Sequence, residues 1–193
     1  MMSRPDLCLE FANTRYWRGQ ASPTETLNGP DDLTAWVAGN ITKEARPLSR
    51  REYERAIEVR ETVYRVFDAT TRGKAPAAAD LQALNEHLAA APARAALRRE
   101  RNGFAWDVDL RAWTALGVLA PVLWSTGDLL TDGKLDKVKR CANPDCGWLF
   151  LDDSRAGKRR WCSMSACGNR AKARRHYHRS REVSSEPPRR RSA

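Results

Sequence analysis

The chain has 193 residues, of which 41% are apolar and 30% charged, and it contains seven tryptophans. This composition excludes a disordered chain, and the length excludes a miniature protein without a sizeable core. The net charge of +10 is unevenly distributed: residues 1–138 contain 19 basic and 19 acidic side chains, whereas residues 139–193 contain 15 and 5. A neutral body joined to a cationic end favours a polyanionic partner on one side of the molecule.

The expected cellular compartment is inferred from two kinds of segment that the sequence lacks, a membrane span and a signal peptide. The longest apolar stretch, residues 113–124, is too short to cross a membrane, so we expect a buried core helix and no membrane partner. The first residues lack the basic and apolar regions of a signal peptide, and we therefore expect a cytoplasmic protein. In a reducing compartment, the five cysteines are expected to be metal ligands, redox groups or core residues rather than disulfides.

The first 138 residues carry the signals of helix starts and ends. A helix is predicted from Ser49 to about Arg72, because Ser49 and Glu52 can form a capping box and apolar residues recur every three or four positions. Asp31 is expected to cap a shorter helix, and Pro76 is expected to open another. The body is therefore predicted to be helical.

The second half of the body is less regular. Asp109 is expected to cap a helix that Pro121 kinks or ends. Only residues 104–108 alternate as a strand does, and this segment is short enough to be a strand at a sheet edge or a loop. The overall prediction is a mainly α fold: an N-terminal helical domain followed by a small C-terminal module with a β-hairpin and a helix.

Four side chains of the body invite a functional interpretation. Glu10 and Asn13 lie in an apolar stretch, where they either line a ligand pocket or, as we favour, form buried hydrogen bonds to neighbouring helix ends. His87 has no partner at catalytic spacing and is expected to be a surface histidine. Cys8 lies between two leucines and is expected to be a small buried hydrophobic residue. No catalytic or cofactor-binding residue is predicted in the body, and we do not expect an enzyme.

The basic end contains two cysteine pairs in the pattern C-x4-C, fifteen residues, C-x4-C. The four residues are Cys141, Cys146, Cys162 and Cys167. Two pairs at this separation match a tetrahedral site for one structural zinc ion per chain. The alternatives are two disulfides, or three cysteines with His176 or His178 as the fourth ligand. Four thiolates close the coordination shell and leave no position for a catalytic water molecule.

The segment between the two pairs is predicted to form the hairpin, with strands at 148–151 and 159–162 and a turn at 152–158. Ser163 is expected to cap the following helix, with Cys167 about one turn inside it. Three aromatic residues are expected to form the core of this module rather than to stack on bases: Trp148, Phe150 and Trp161.

The helix that leaves the site, residues 168–181, contains six cationic residues and no acidic one. Cations lie on two opposite sides of it, so an anion is expected against the helix; the alternative is a solvated helix that offsets the negative charge of a zinc tetrathiolate. The predicted contacts to nucleic acid, most simply duplex DNA, are Arg159, Arg160, Asn169, Arg170, Lys172, Arg174, Arg175 and Arg179. Residues 182–193 are expected to form a disordered basic tail.

The run C-G-N-R at 167–170, with R-W-C-S-M at 160–164 before it and A-K-A-R-R at 171–175 after it, resembles the CGNR zinc finger. Residues 7–14, L-C-L-E-F-A-N-T, resemble the opening of the ABATE domain that usually precedes this finger. The resemblance implies zinc binding by the four cysteines. It also implies a stress-induced bacterial transcriptional regulator whose positively charged finger binds DNA.

The predicted domain order is a helical ABATE-like domain at 1–138, a CGNR-type finger at 139–181 and the tail at 182–193. The predicted function is transcriptional control, with the helical domain as a sensor or oligomerisation part. A homodimer and a small-molecule effector stay open as partners. The alternatives are an RNA-binding module and an adaptor for an acidic protein, and an enzyme in the helical body ranks below both.

Overall fold

The structure, a computed structural model, describes residues 4–101, 103–111 and 113–184, without the side chains of residue 100 and of residues 178–184. In this part of the chain, seven α-helices and three two-stranded antiparallel sheets form. They are α1 (Leu7–Ala12), β1 (Arg15–Tyr16), β2 (Thr24–Glu25), α2 (Pro30–Asn40), α3 (Arg50–Thr71), α4 (Ala78–Ala90), β3 (Leu97–Glu100), β4 (Gly103–Trp106), α5 (Ala115–Val118), α6 (Ala120–Thr131), β5 (Val138–Arg140), β6 (Leu149–Leu151) and α7 (Asn169–Ser184). The mainly α prediction is confirmed. None of the described helices is long and apolar enough to cross a membrane.

The longest helix, α3, is the centre of the body. Ser49 Oγ accepts a hydrogen bond from the N–H of Glu52 at 3.2 Å, which confirms the predicted N-cap. The Glu52 carboxylate accepts from the N–H of Ala115 at the start of α5, so it joins two helices rather than closing a capping box. One side of α3, which includes Val63 and Phe67, is buried where α1, α2, α4 and α5 pack against it.

The predicted start of α2 is wrong by two residues. The helix begins at Pro30, and Gly29 occupies the N-cap position instead of Asp31. Proline suits the first helical position because no intrahelical acceptor is available there for an N–H. Asp32 accepts a hydrogen bond from the N–H of Asn28 at 2.8 Å and so closes the preceding turn.

The predicted cap at Asp109 is also wrong. Asp109 accepts from the N–H of Arg111 at 3.0 Å and forms an ion pair with its guanidinium, so it stabilises a local turn. The helix starts later, where Thr114 Oγ1 accepts from the N–H of Gly117 at 3.1 Å. Helix α5 ends at Val118, and α6 follows with Pro121 in its first turn. This break agrees with the predicted interruption at the proline.

The burial of Cys8 and of His87 tests two predictions, of which one is confirmed and one is wrong. Cys8 is fully buried, as predicted, and burial raises the pKa of its thiol to about 12. His87 is only 3% exposed, so the surface prediction is wrong. The histidine lies on the side of α4 that carries the buried Leu84, and α4 packs against α3 and α6. Burial lowers the pKa of His87, and the positive charge of Arg55 adds to this effect.

A buried ion network fastens the loops after α1 to α3. Arg60 is 1% exposed and contacts both Glu25 oxygens at 2.6 and 2.7 Å, and it contacts Glu61 at 3.0 Å. Arg18 approaches the other Glu61 oxygen at 2.7 Å. Burial acts to raise the pKa of both carboxyls, but the hydrogen bonds and charges of the arginines outweigh it and lower both.

Glu61→Gln tests the contribution of this network. The pKa of Glu61 is lowered in the folded state, so its carboxylate stabilises the fold above its ordinary pKa of 4.5, and this contribution is lost as the pH falls through the folded-state pKa. The variant should lose about 2 kcal/mol of unfolding free energy at pH 7. Its difference from the wild-type chain should shrink below about pH 4.5.

Urea denaturation, followed by tryptophan fluorescence from pH 7 to pH 3.5, measures this difference. Both chains keep the same cysteines, so any release of metal in acid largely cancels. A difference that does not change with pH would contradict the prediction.

Candidate metal centre

The four cysteines of the basic end converge on one point. Their sulfur atoms lie within 4.8 Å of one another, and Cys162 Sγ is 3.7 Å from both Cys146 Sγ and Cys167 Sγ. Tetrahedral zinc with Zn–S bonds of about 2.3 Å places neighbouring sulfurs about 3.8 Å apart. All four are free thiols, and no histidine of the described part joins the cluster. The arrangement fits one structural Zn²⁺ and not the disulfide alternative.

The chemistry of the donor set also suits a cation. The neighbouring thiols of Cys146 and Cys162 hold the pKa of Cys141 well below the ordinary value. The same contacts raise the pKa of Cys146, and the contact with Cys141 raises that of Cys162 to about 12. The negative charge of the first thiolate therefore opposes the ionisation of a second or third cysteine. A bound Zn²⁺ reverses this, because coordination deprotonates thiols outright.

The first cysteine pair lies in the loop of the β5–β6 hairpin. Residues 138–140 pair with residues 149–151, and the Cys141 N–H donates to the Trp148 carbonyl at 2.8 Å. The Cys146 N–H donates to the Asn143 carbonyl at 3.0 Å and tightens the turn. Asn143 Nδ2 lies 3.6 Å from Cys167 Sγ, so its amide supports a sulfur of the second pair.

The predicted hairpin is therefore misplaced: residues 149–151 pair with 138–140, and residues 159–162 form no strand. The reason is Asp152, whose buried carboxylate accepts from the N–H groups of Ser154 at 3.1 Å and Arg159 at 2.9 Å. Lys139 Nζ, at 2.5 Å, holds the pKa of Asp152 well below its usual range. These bonds fold the segment into a loop that returns to the first cysteine pair.

The second pair is placed by a local cap and a wide turn. Ser163 Oγ accepts from the N–H of Ala166 at 3.4 Å, which confirms the predicted cap. Residues 164–168 form a single π-helical turn that contains Cys167, and the Gly168 N–H donates to the Ser163 carbonyl at 3.0 Å. The α7 helix continues directly from this turn to Ser184, and residues 185–193 of the predicted tail lie outside the described residues.

Residues 15–19, which we call the clamp loop, bind the first cysteine pair to the helical body. Three consecutive carbonyls accept hydrogen bonds from the body: Asp145 from Gly19 N–H at 3.1 Å, Cys146 from Arg18 N–H at 3.3 Å, and Gly147 from Tyr64 Oη at 2.9 Å. The approach is too close for side chains, since a Cβ on Gly19 would lie 2.2 Å from the Pro144 oxygen. Gly147 has φ +69°, and a Cβ there would lie 2.8 Å from Arg18 Cβ.

Asn13 makes the second connection between the body and the zinc module. Its Nδ2 donates to the Leu149 carbonyl at 2.7 Å, and its Oδ1 accepts from the Leu149 N–H at 3.0 Å. The predicted buried hydrogen bonds therefore exist, but they reach β6 rather than a helix end. Leu149 and Val138 belong to the hydrophobic core of the body. For Glu10 the prediction of a buried hydrogen bond is wrong, because its side chain is 38% exposed and forms an ion pair with Arg4.

Two of the predicted nucleic-acid contacts are engaged within the protein. The Arg170 guanidinium lies 4.4 Å from the ring centre of Trp17, a clamp-loop residue with φ 56°. Arg159 lies 4.4 Å from the Phe150 ring and donates to the carbonyls of Trp161, at 3.0 Å, and Cys162. These two arginines help to hold the module together.

The remaining predicted contacts lie on the surface. Arg160 is exposed and stacks over Trp161 at 5.4 Å. Asn169 is exposed, and its Nδ2 donates to the Ser165 carbonyl at 3.3 Å. Three further cations are exposed: Lys172, Arg174 and Arg175. The Arg179 side chain lies outside the described part of the chain.

The fold and the cysteine cluster define a mainly helical protein that ends in a four-cysteine zinc finger. The family model of ABATE, described as "Putative stress-induced transcription regulator", matches residues 5–133, and the model of the CGNR zinc finger matches residues 137–180. The chain belongs to the ABATE family and carries a CGNR zinc finger. Neither description names an enzymatic activity. No curated protein matches the chain.

Zinc removal tests the metal centre. The purified chain should contain one zinc per molecule, and Cys167→Ser should lose most of it. Because such sites contribute on the order of 10 kcal/mol and the module shares the core of the body, chelation should lower the melting temperature of the helical body too. Metal analysis and circular dichroism at 222 nm measure both effects. Cys8→Ala is the matched control and should keep the zinc; a body that melts identically with and without zinc would contradict the shared core.

Asn13→Ala tests the connection to β6. The variant leaves the buried N–H and C=O of Leu149 without their partner, so the free energy of unfolding should fall by about 2–4 kcal/mol. Asn85→Ala removes an exposed asparagine of α4 and should change it by less than about 0.5 kcal/mol. Denaturant titration of the zinc-loaded proteins compares the two. Equal effects would show that the Asn13 amide contributes nothing specific.

Proposed function

We propose that the chain is a transcriptional regulator that binds duplex DNA through α7 and the adjoining surface of the zinc finger, and that it acts in the cytoplasm without catalysing a reaction. The helical body serves as the sensing or oligomerisation part. The observation that carries the proposal is a difference in how cations are paired in the two parts of the molecule.

Many exposed arginines of the body form ion pairs with neighbouring carboxylates. On α3, Arg50 contacts Glu54 at 2.8 Å and Arg55 contacts Glu58 at 2.9 Å. By contrast, three cations of α7 form no hydrogen bond or ion pair with any residue that the structure describes: Lys172, Arg174 and Arg175. Like charges so close together repel unless an anion lies against them, which favours a phosphate backbone as the partner.

The attachment of α7 keeps these charges accessible. Within residues 169–177, Ala171 is buried and the other residues are exposed. Lys172 and Arg175 are three positions apart on one side of the helix, and Arg174 shares the opposite side with Arg170. The helix is thus held near its first turn and presents two cationic sides.

Duplex DNA is favoured over unpaired RNA by the state of the aromatic rings. Binding of single strands depends on exposed rings on which bases stack. Trp148 packs edge-on against Tyr16 at 6.1 Å, while Arg160 covers Trp161 and Arg170 covers Trp17. These rings already have stacking partners, so phosphate contacts are left as the main source of affinity.

Fluorescence-anisotropy titrations of zinc-loaded protein with random duplex DNA, across a salt series, test the proposal. With about six phosphates contacted, log K should fall with log salt at a slope of about −5. The triple variant Lys172→Gln/Arg174→Gln/Arg175→Gln should bind at least about tenfold more weakly at low salt, and its slope should become shallower by about 3. A slope near zero for the wild-type chain would contradict the proposal.

The matched control removes three paired arginines of the body: Arg50→Gln/Arg55→Gln/Arg111→Gln. It has the same net charge as the helix variant, so equal losses in both would show that overall charge rather than α7 attracts the DNA. Titration with single-stranded RNA completes the test. Tighter binding to the RNA, abolished by Trp161→Ala in a protein that keeps its zinc, would favour the RNA-binding alternative instead. Co-purification with an acidic protein and no nucleic-acid binding would favour the adaptor.

A further inference from the structure

The helical body contains a partly enclosed pocket, separate from the zinc finger, between the β3–β4 hairpin and α6. It has a volume of about 170 Å³. Its apolar walls include Phe104 and Trp106 of β4, Pro121 and Trp124 of α6, and Leu7 of α1. The indole N–H of Trp124 donates to the Pro92 carbonyl at 3.1 Å, so this wall is held in place before any ligand enters.

The polar groups of the pocket are mostly cationic. One acidic residue, Asp128, and three arginines line it, of which Arg4 also pairs with Glu10 outside the lining; the other two are Arg94 and Arg98. Arg94 pairs with Asp128 at 2.9 Å, and its guanidinium lies 5.4 and 5.8 Å from the ring centres of Trp124 and Trp106. A guanidinium has five N–H donors, and one carboxylate leaves several of them for a second anion.

Size and charge together define the ligand class. A cavity of about 150 Å³ lined by apolar side chains accommodates one benzene ring. Indole and phenyl walls favour a flat ring, and a lining with an excess of arginine favours a carboxylate that a guanidinium can bind through two parallel hydrogen bonds. We propose that this pocket binds a small aromatic carboxylate, with the ring between Trp106 and Trp124 and the carboxylate against Arg94.

This site is independent of the proposed DNA contacts, so each can fail without the other. Benzoate is the probe, titrated into the zinc-loaded full chain and followed by calorimetry and by ligand-observed NMR. Binding should saturate at one benzoate per chain. Benzyl alcohol keeps the ring without the charge and should bind about tenfold more weakly, and acetate, which lacks the ring, should show no saturable binding.

Two variants locate the site. Arg94→Gln should weaken benzoate about tenfold while leaving benzyl alcohol within about twofold, because only the charged contact is lost. Ala105→Leu places a larger side chain in the pocket wall and should weaken both ring ligands. The matched control is Arg65→Gln, which breaks a comparable exposed ion pair with Asp80 outside the pocket and should bind benzoate as the wild-type chain does.

Three results would overturn the proposal. The first is the absence of saturable benzoate binding up to millimolar concentration. The second is benzyl alcohol binding as tightly as benzoate, which would remove the anion from the ligand class. The third is undiminished benzoate binding in both Arg94→Gln and Ala105→Leu, which would place the ligand elsewhere. Unchanged melting temperatures of the free variants separate these results from a general loss of folding.

Discussion

The structure depends on hydrogen bonds between the backbone of the first cysteine pair and the helical body. The body supplies a hydrogen-bond donor to each of three consecutive carbonyls, those of Asp145, Cys146 and Gly147, of which the last two belong to buried residues. The zinc site is thus supported by residues far earlier in the chain: Arg18, Gly19 and, 83 positions before Gly147, Tyr64. The metal orders the finger, and the finger in turn closes one edge of the core of the body through Leu149.

This arrangement also determines what the cations do. Arg159 and Arg170 each stack on an aromatic ring, and Arg159 also donates to carbonyls of the finger, so these two cations are engaged within the protein. Three cations further along α7, Lys172, Arg174 and Arg175, pair with no carboxylate of the described residues. Part of the excess positive charge of the sequence therefore lies on α7, a helix that begins directly after the turn containing Cys167.

Local chemistry made parts of the molecule predictable from sequence. The spacing C-x4-C forces two ligands onto one turn, and Ser49 caps α3 through its own neighbours, so both features were accessible without knowledge of the fold. The outcome could not be predicted from sequence where two equivalent signals compete. Asp109 and Thr114 are both good N-caps, and the choice falls on Thr114, where the Glu52 carboxylate from α3 reaches the next N–H. Residues 149–151 could pair on either side, and the buried side chain of Asp152 decides it.

The proposed ligand pocket and the zinc finger lie at opposite ends of the short helix α1. At its start, Leu7 lines the aromatic pocket and the Cys8 N–H donates to Ser125 Oγ, another residue of the pocket wall, at 3.1 Å. Just beyond its end, Asn13 holds β6 of the zinc finger. Six residues of helix span about 9 Å, so the pocket and the finger share one rigid connection. A ligand in the pocket changes the position of the finger only if α1 has two positions and the ligand binds them with different affinity. A ligand with equal affinity for both positions leaves their populations unchanged.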